Sequence, residues 1–257
     1  MKITIDAGRV NKREPIYTNA IAEVKYLETH QGHAFPTHQL AEIERFLPQS
    51  VANSVETGCG KSTVMFSNIS KNHRVFAIDD RNGESSSVNF FMNHPLTKKK
   101  NIDINYGPTQ KTLPNFNHGV EYDIALIDGA HAYPFAEIDY LSIYPWLKLG
   151  TGLLIIDDVT IHTVARLADF LFEDEMFEFI ALINWTAIFR RTKSATFPMD
   201  GDGWDKQMYN RKRRHNNNDF YIGGKKLDFF TSLRIAGMNL DELVHTHIDQ
   251  AWLRDKK

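Results

Sequence analysis

The sequence predicts an α/β fold, a mostly parallel sheet with helices on both faces that is closed by an antiparallel hairpin. Three observations carry this. Short, nearly continuous apolar runs recur between residues 51 and 156, as strands covered on both faces require. Most of these runs lead into a helical pattern, the alternation that builds a parallel sheet. Two later runs, 177–183 and 186–190, are separated only by Asn184-Trp185. So short a link forces an antiparallel return, because a parallel one needs a crossover of about a dozen residues.

Taken in order, a helical pattern comes first, with Leu40, Ile43, Phe46 and Leu47 on one face and Pro48 ending it. Val51 to Val55 is the first strand, followed by glycines and a helix near Thr63 to Ile69. Arg74 to Ile78 is the second, closed by Asp79-Asp80, and Ile102 to Tyr106 the third, closed by Gly107-Pro108. Ile124 to Ile127 is the fourth, ended by Asp128-Gly129. The next helix takes Pro134 in its first turn and carries Phe135, Ile138 and Leu141 on its apolar side. Gly152 to Ile156 is the fifth strand, ended by Asp157-Asp158, and the helix beyond it aligns Val164, Leu167, Ala168, Leu171 and Phe172. After the hairpin, residues 193 to 220 are polar and glycine-containing and read as a loop or flap. A last helix is expected near Asn239 to Leu253. The chain thus divides into an N-terminal segment or lid (1–37), a core (38–192) and a loop with a C-terminal helical extension (193–257).

With 257 residues, 42% hydrophobic and 24% charged, the composition is that of an ordinary globular protein. A net charge of -2 supplies no general pull towards nucleic acid or an acidic membrane. Cys59 is the only cysteine, which excludes an internal disulfide and suits a reducing compartment. No apolar run approaches the roughly 20 residues that span a bilayer. The N-terminus carries charges where a secretory signal needs an apolar core. The expectation is a soluble, cytoplasmic protein without a membrane partner; a homo-oligomer is compatible with it.

Gly58 and Gly60 lie where the first strand turns into a helix, so the backbone can turn tightly and admit a ligand to the helix N-terminus. Asp79 follows about 20 residues later, where a carboxylate can bind a ribose diol. Three ligand classes use such an arrangement. Gly60-Lys61-Ser62 suggests a phosphate loop, but the glycine required five positions earlier is Val55. The dinucleotide fingerprint finds two of its three glycines and Thr63 in place of the third. The third class is the S-adenosylmethionine (SAM) loop, which has an acid two residues before its first glycine, as Glu56 is here. A glycine turn with no ligand is the plain alternative.

Glu56-Thr57-Gly58-Cys59-Gly60, Val75-Phe76-Ala77-Ile78-Asp79 and the run from Tyr122 through Asp128-Gly129-Ala130-His131-Ala132-Tyr133 together resemble the class I SAM-dependent methyltransferases. Leu147 to Asp158 looks like that family's run around its fifth strand. The subgroup most resembled is the small-molecule O-methyltransferases with Ile-Asp-Gly-x-His-x-Tyr after strand four. The likeness covers residues 38 to 192. It implies a Rossmann-like, seven-stranded sheet with an antiparallel last strand. It also implies cofactor contacts from Glu56, Thr57, Gly58, Gly60, Ser62, Asp79, Asp80, Thr109 and Asp128. Where the family often has an acid near the adenine, this chain has Pro108 and then Thr109.

Asp128, Asp157 and Asp158 end strands expected to be neighbours, about 4.8 Å apart. Such carboxylates repel unless protonated or neutralised, and Mg²⁺ is the natural partner for oxygen ligands. An ion there could lower the pKa of a substrate hydroxyl and place its oxygen before the SAM methyl. The alternative is that Asp158 or Thr160 caps a helix while Asp128 ends a strand or meets the cofactor. His131 and Asp128 are the candidate bases, a hydrogen bond within the loop being the other role for the histidine. Tyr133 suits a pocket wall.

Weaker signals carry less. His30, His33 and His38 have no closed zinc spacing, and Asp200 to Asp205 lacks the glycine and glutamate of a calcium loop. Arg211 to Arg214 reads as a solvated loop before it reads as a phosphate or nucleic-acid contact. The expected function is SAM-dependent O-methylation of a small molecule, a sugar or natural product, with Mg²⁺ assistance. A nicotinamide-dependent reductase and a non-catalytic methyltransferase-like binding protein are the rivals.

Overall fold

The computed structural model describes residues 13–24 and 35–196, residues 207–208, and the backbone of 220–222 and 225–227. The chain divides into two compact units, Met1–Met199 and Asp200–Lys257. In the first, α1 (Ile16–Glu23) and α2 (Thr37–Phe46) precede β1 (Val51–Thr57), α3 (Lys61–Ile69), β2 (Ser70–Ala77) and α4 (Ser87–Asn93). Then come β3 (Ile102–Tyr106), α5 (Thr109–Thr112), β4 (Ile124–Ile127), α6 (Phe135–Ile143), β5 (Leu153–Ile156), α7 (His162–Glu173), β6 (Phe177–Ile183) and β7 (Thr186–Arg191). The second unit contributes the antiparallel pair β8 (Phe220–Ile222) and β9 (Lys225–Leu227).

The seven strands of the first unit lie in the order β3-β2-β1-β4-β5-β7-β6. β7 runs against both its neighbours, with the Asn184-Trp185 link the sequence required. β1 pairs in parallel with β2 on one side and with β4 on the other. The chain therefore winds outward from β1 and returns to start again beside it. That reversal opens a crevice at the carboxyl ends of β1 and β4, where folds of this kind bind ligands.

Alternation along the strands separates two apolar layers. Ile124 and Leu126 pack with Leu40, Met65 and Phe66, while Ala125 and Ile127 pack with Tyr140, Leu154 and Leu167. Three short helices, α1, α4 and α5, have no counterpart in the sequence reading. α1 is tied to α2 by Glu44, which is fully buried and accepts the Thr18 N–H at 2.8 Å and the Tyr17 N–H at 3.2 Å. α4 is capped by Ser86, whose hydroxyl accepts the Asn89 N–H at 2.9 Å. β2 begins at Ser70 rather than Arg74, because its polar first residues hide it from a hydrophobic pattern.

Two apolar stripes need correction. α6 buries Ala136, Asp139, Tyr140 and Ile143, and leaves Leu141 48% exposed. On α7, Val164, Leu167 and Leu171 are buried as expected, but Phe172 is exposed and meets Phe179 edge-on. His30, His33, the loop Asp200 to Asp205, the run Arg211 to Arg214 and the helix expected at 239–253 lie outside the described residues. Among the described residues no helix is long and apolar enough to cross a membrane.

Candidate active site

The glycine loop is built by close contact with the end of β4. Gly58 has φ +81°, and a Cβ there would lie 2.1 Å from the carbonyl oxygen of Asp128, so no other residue fits unstrained. Its N–H donates to the Phe76 carbonyl at 2.9 Å, which ties the turn to β2. Thr63 stands where a dinucleotide loop would have its third glycine. Its hydroxyl accepts the Gly60 N–H at 2.9 Å and donates to the Glu56 carboxylate in a short hydrogen bond. The side chain that argued against a dinucleotide is what closes this loop.

Beside the loop is a cavity of about 440 Å³, bordered by Gly58, Cys59, Ile78, Asp80, Thr109, Asp128 and Gly129. Its size falls within the usual range for small-ligand sites. Burial, with the charges of Glu56, Asp80 and Asp128 adding to it, pushes the Cys59 thiol far up, so this cysteine stays protonated. A larger groove of about 570 Å³, bordered by Leu113, Phe116, Leu141 and Trp146, has an apolar lining without any acid or base. The chemistry belongs to the smaller one.

The expected cofactor residues divide into two sets. Gly58, Asp80, Thr109 and Asp128 border the cavity. Glu56, Thr57, Gly60 and Ser62 are not among its lining residues. Glu56 is fully buried, and the Thr57 hydroxyl accepts the Asp128 N–H at 3.2 Å, so both support the loop from beneath. Ser62 is buried in the first turn of α3. Asp79 is turned away: Arg81 grips it at 2.8 and 2.6 Å and holds its carboxyl down at about 2. The carboxylate at the cavity is Asp80, which accepts Ser86 O–H at 2.7 Å, Ser87 N–H at 2.6 Å and Val88 N–H at 3.1 Å.

Among the described residues, Asp128, His131 and Asp158 each offer a donor atom within 4.8 Å of the others. His131 Nε2 lies 3.1 Å from Asp158 Oδ2, yet this buried nitrogen makes no hydrogen bond. The backbone of Asp158 is left-handed, at φ 55°, and the Val159 N–H donates to the Trp185 carbonyl at 2.8 Å. The Thr163 hydroxyl fixes the His131 carbonyl. Of the three aspartates expected at the metal, only Asp128 and Asp158 converge, and His131 joins them in place of Asp157. Asp157 Oδ1 instead accepts the Thr186 hydroxyl, which in turn accepts Gln39 Nε2 at 2.6 Å. Burial, with Asp158 adding its charge, pushes Asp157 up to about 7 against that hydrogen bond. Burial and the charges of Asp157, Glu56 and Asp158 push Asp128 well above the usual carboxylate range.

A family model described as a methyltransferase domain matches residues 55–159, the span from the glycine loop to the acid pair. Over these residues the chain is similar to methyltransferase domains. Its fold matches that of a candidate O-methyltransferase from Klebsiella pneumoniae, at TM-score 0.50 and 16% identity, over 69% of this chain and 88% of that one. An O-methyltransferase from Bacillus cereus, solved with S-adenosylhomocysteine (SAH), gives TM-score 0.47 and 14% identity over 69% and 89% of the two chains. The methyltransferase MycE of mycinamycin biosynthesis, solved with Mg, SAH and mycinamycin VI, gives 0.44 and 13% over 73% and 57%. A sequence comparison with curated proteins finds no match.

One buried acid beside the cavity has no mark in the sequence. Asp139, on α6, is fully buried directly behind Gly129, whose Cβ, if present, would lie 2.8 Å from Asp139 Oδ2. Burial pushes its carboxyl up to about 6, opposed by the nearby hydroxyls of Thr109 and Thr57. Nothing in the apolar pattern of α6 marks it, since a carboxylate on a helix reads as solvent-facing.

Proposed function

We propose that the protein transfers the methyl group of SAM to a hydroxyl oxygen of a small molecule, a sugar or natural product, with a divalent cation held by Asp128, His131 and Asp158. The convergence of those three donors within 4.8 Å, with Asp128 also bordering the cavity, carries this reading. The residues fit an ion such as Mg²⁺: two carboxylates, and an imidazole nitrogen with no hydrogen bond of its own. When bound, SAM supplies an electrophilic methyl group and the cation lowers the pKa of a coordinated hydroxyl.

The chain's own residues position and exchange a proton. Gly58 lets the ligand approach the main chain, and Asp80 accepts the ribose hydroxyls, the role first expected of Asp79. Thr109 and Gln110 border the cavity beyond Pro108, where an adenine would lie. Asp128 borders both the cavity and the trio, so one of its oxygens can hold the ion while the other receives the hydroxyl proton. His131 taking that proton itself is the second reading, favoured by the 38% exposure of its side chain. A cytoplasmic location accords with the lone Cys59.

Calorimetric titration with SAH and with NADH tests the cofactor. SAH binding without NADH binding supports the reading, and the reverse overturns it. Transfer of labelled methyl from SAM to hydroxyl-bearing acceptors, with chelator and after Mg²⁺ is restored, then tests the ion. Turnover unaffected by chelator would remove the cation from the account.

A further inference from the structure

Behind the glycine loop a line of polar side chains crosses one apolar layer, and the transfer reaction does not use its middle member. Ser70 Oγ and Ser54 Oγ lie 2.6 Å apart, and Ser54 Oγ lies 2.8 Å from His73 Nδ1. On the other side of the ring, His73 Nε2 lies 3.2 Å from Glu56 Oε1. Glu56 accepts the Thr63 hydroxyl, and Thr63 accepts the Gly60 N–H at 2.9 Å. Every side chain in the line is buried, with His73 1% exposed and Glu56 and Thr63 at 0%.

The register explains why these groups meet. Ser54 and Glu56 are two apart on β1 and share a face, and the parallel ladder sets His73 of β2 opposite Ser54. The surroundings are apolar, with the Phe66 ring 5.3 Å from that of His73. In such a layer each polar member depends on its partners. If Ser70 donates to Ser54 and Ser54 to Nδ1, the ring proton is left on Nε2, facing Glu56. That N–H sits off the hydrogen-bonding line, so the contact is electrostatic. Glu56 Oε2 has no hydrogen bond, which leaves the carboxylate located by what meets Oε1, namely Thr63 and His73.

We propose that His73 is a positioning residue for the cofactor, holding Glu56, and through Thr63 the Gly60 turn, in the shape that receives the amino-acid end of SAM. This rests on the SAM reading of the cavity. His73 borders the separate small pocket at the start of the strands rather than the cofactor cavity, so its influence is carried entirely through Glu56.

The test is SAH affinity by calorimetry for wild type, His73→Leu, His73→Asn and His73→Gln, with melting temperature recorded for each. Gln can restore a donor at the Nε2 position, whereas Asn and Leu cannot. SAH binding about tenfold weaker in Asn and Leu, and within threefold of wild type in Gln, is expected. At saturating SAM, kcat should change much less than the cofactor KM. Combining His73→Asn with Glu56→Gln should cost little more than Glu56→Gln alone. Wild-type affinity in the Asn variant overturns the proposal, as does weakening that follows melting temperature equally in Asn and Gln. If Leu fails to fold, the Asn and Gln pair still decides. Failure of wild type itself to bind SAH would instead sink the cofactor reading.

Discussion

His131 Nε2 and Asp158 Oδ2 face each other at 3.1 Å without sharing a hydrogen bond. The left-handed backbone of Asp158, at φ 55°, is an uncommon conformation for a residue other than glycine, and such conformations gather at functional sites. A nitrogen and a carboxylate oxygen held this way, with Asp128 beside them, suit a cation better than they suit each other.

From this comes a prediction that separates the two acids after β5. Mg²⁺ at a hundred times its dissociation constant should raise the melting temperature of wild type by about 5 °C. Asp158→Ala should abolish that rise. Asp157 is held by Thr186, so Asp157→Ala should lower the starting melting temperature but keep the rise. Fluorimetric melts with and without Mg²⁺ measure both.

The two acids after β2 separate in the same manner. Asp80 borders the cavity, while Asp79 is bound to Arg81 in solvent. Asp80→Asn should weaken SAH binding about tenfold or more, and Asp79→Asn less than threefold. Calorimetry gives both values.

Gly58 is the position where a single methyl group is most disruptive. Gly58→Ala would set a Cβ 2.1 Å from the Asp128 carbonyl at φ +81°. The expected cost is about 2 kcal/mol or more of stability, with SAH binding lost. Urea unfolding and SAH titration of the variant check the two parts.

Asp139 predicts a pH dependence. Its folded carboxyl sits at about 6 against an ordinary value of 3.8, so the folded state binds the proton more tightly than the unfolded one. Stability is therefore greatest at the acid end of this window and falls as pH rises from about 4 to about 6. The fall attributable to this group is about 3 kcal/mol. Asp139→Asn should flatten that part of the profile and be at least as stable as wild type at pH 8, as denaturant melts across pH would show.

The elements legible in the sequence were those set by pattern. Continuous apolar runs at 124–127 and 153–156 could only be buried strands, and the Asn184-Trp185 link could only turn back. The site was legible as positions but not as directions. Asp157 and Asp158 are adjacent, and a backbone torsion decides which one turns to His131; no residue type announces a left-handed aspartate. Asp79 and Asp80 pose the same problem, resolved by Arg81 holding the first. Glu56 marks the loop as a motif in the sequence, yet its contact with His73 depends on strand register. Asp139 was invisible because its burial depends on Gly129 leaving room behind the cavity wall.

The most direct test of the central claim is anomalous diffraction at the manganese edge from crystals grown with SAH and Mn²⁺. SAH should lie in the cavity between Gly58 and Asp80, with one manganese peak ligated by Asp128, His131 and Asp158 beside its sulfur. SAH bound elsewhere, or a cavity holding SAH with no metal at those three residues, would contradict the account.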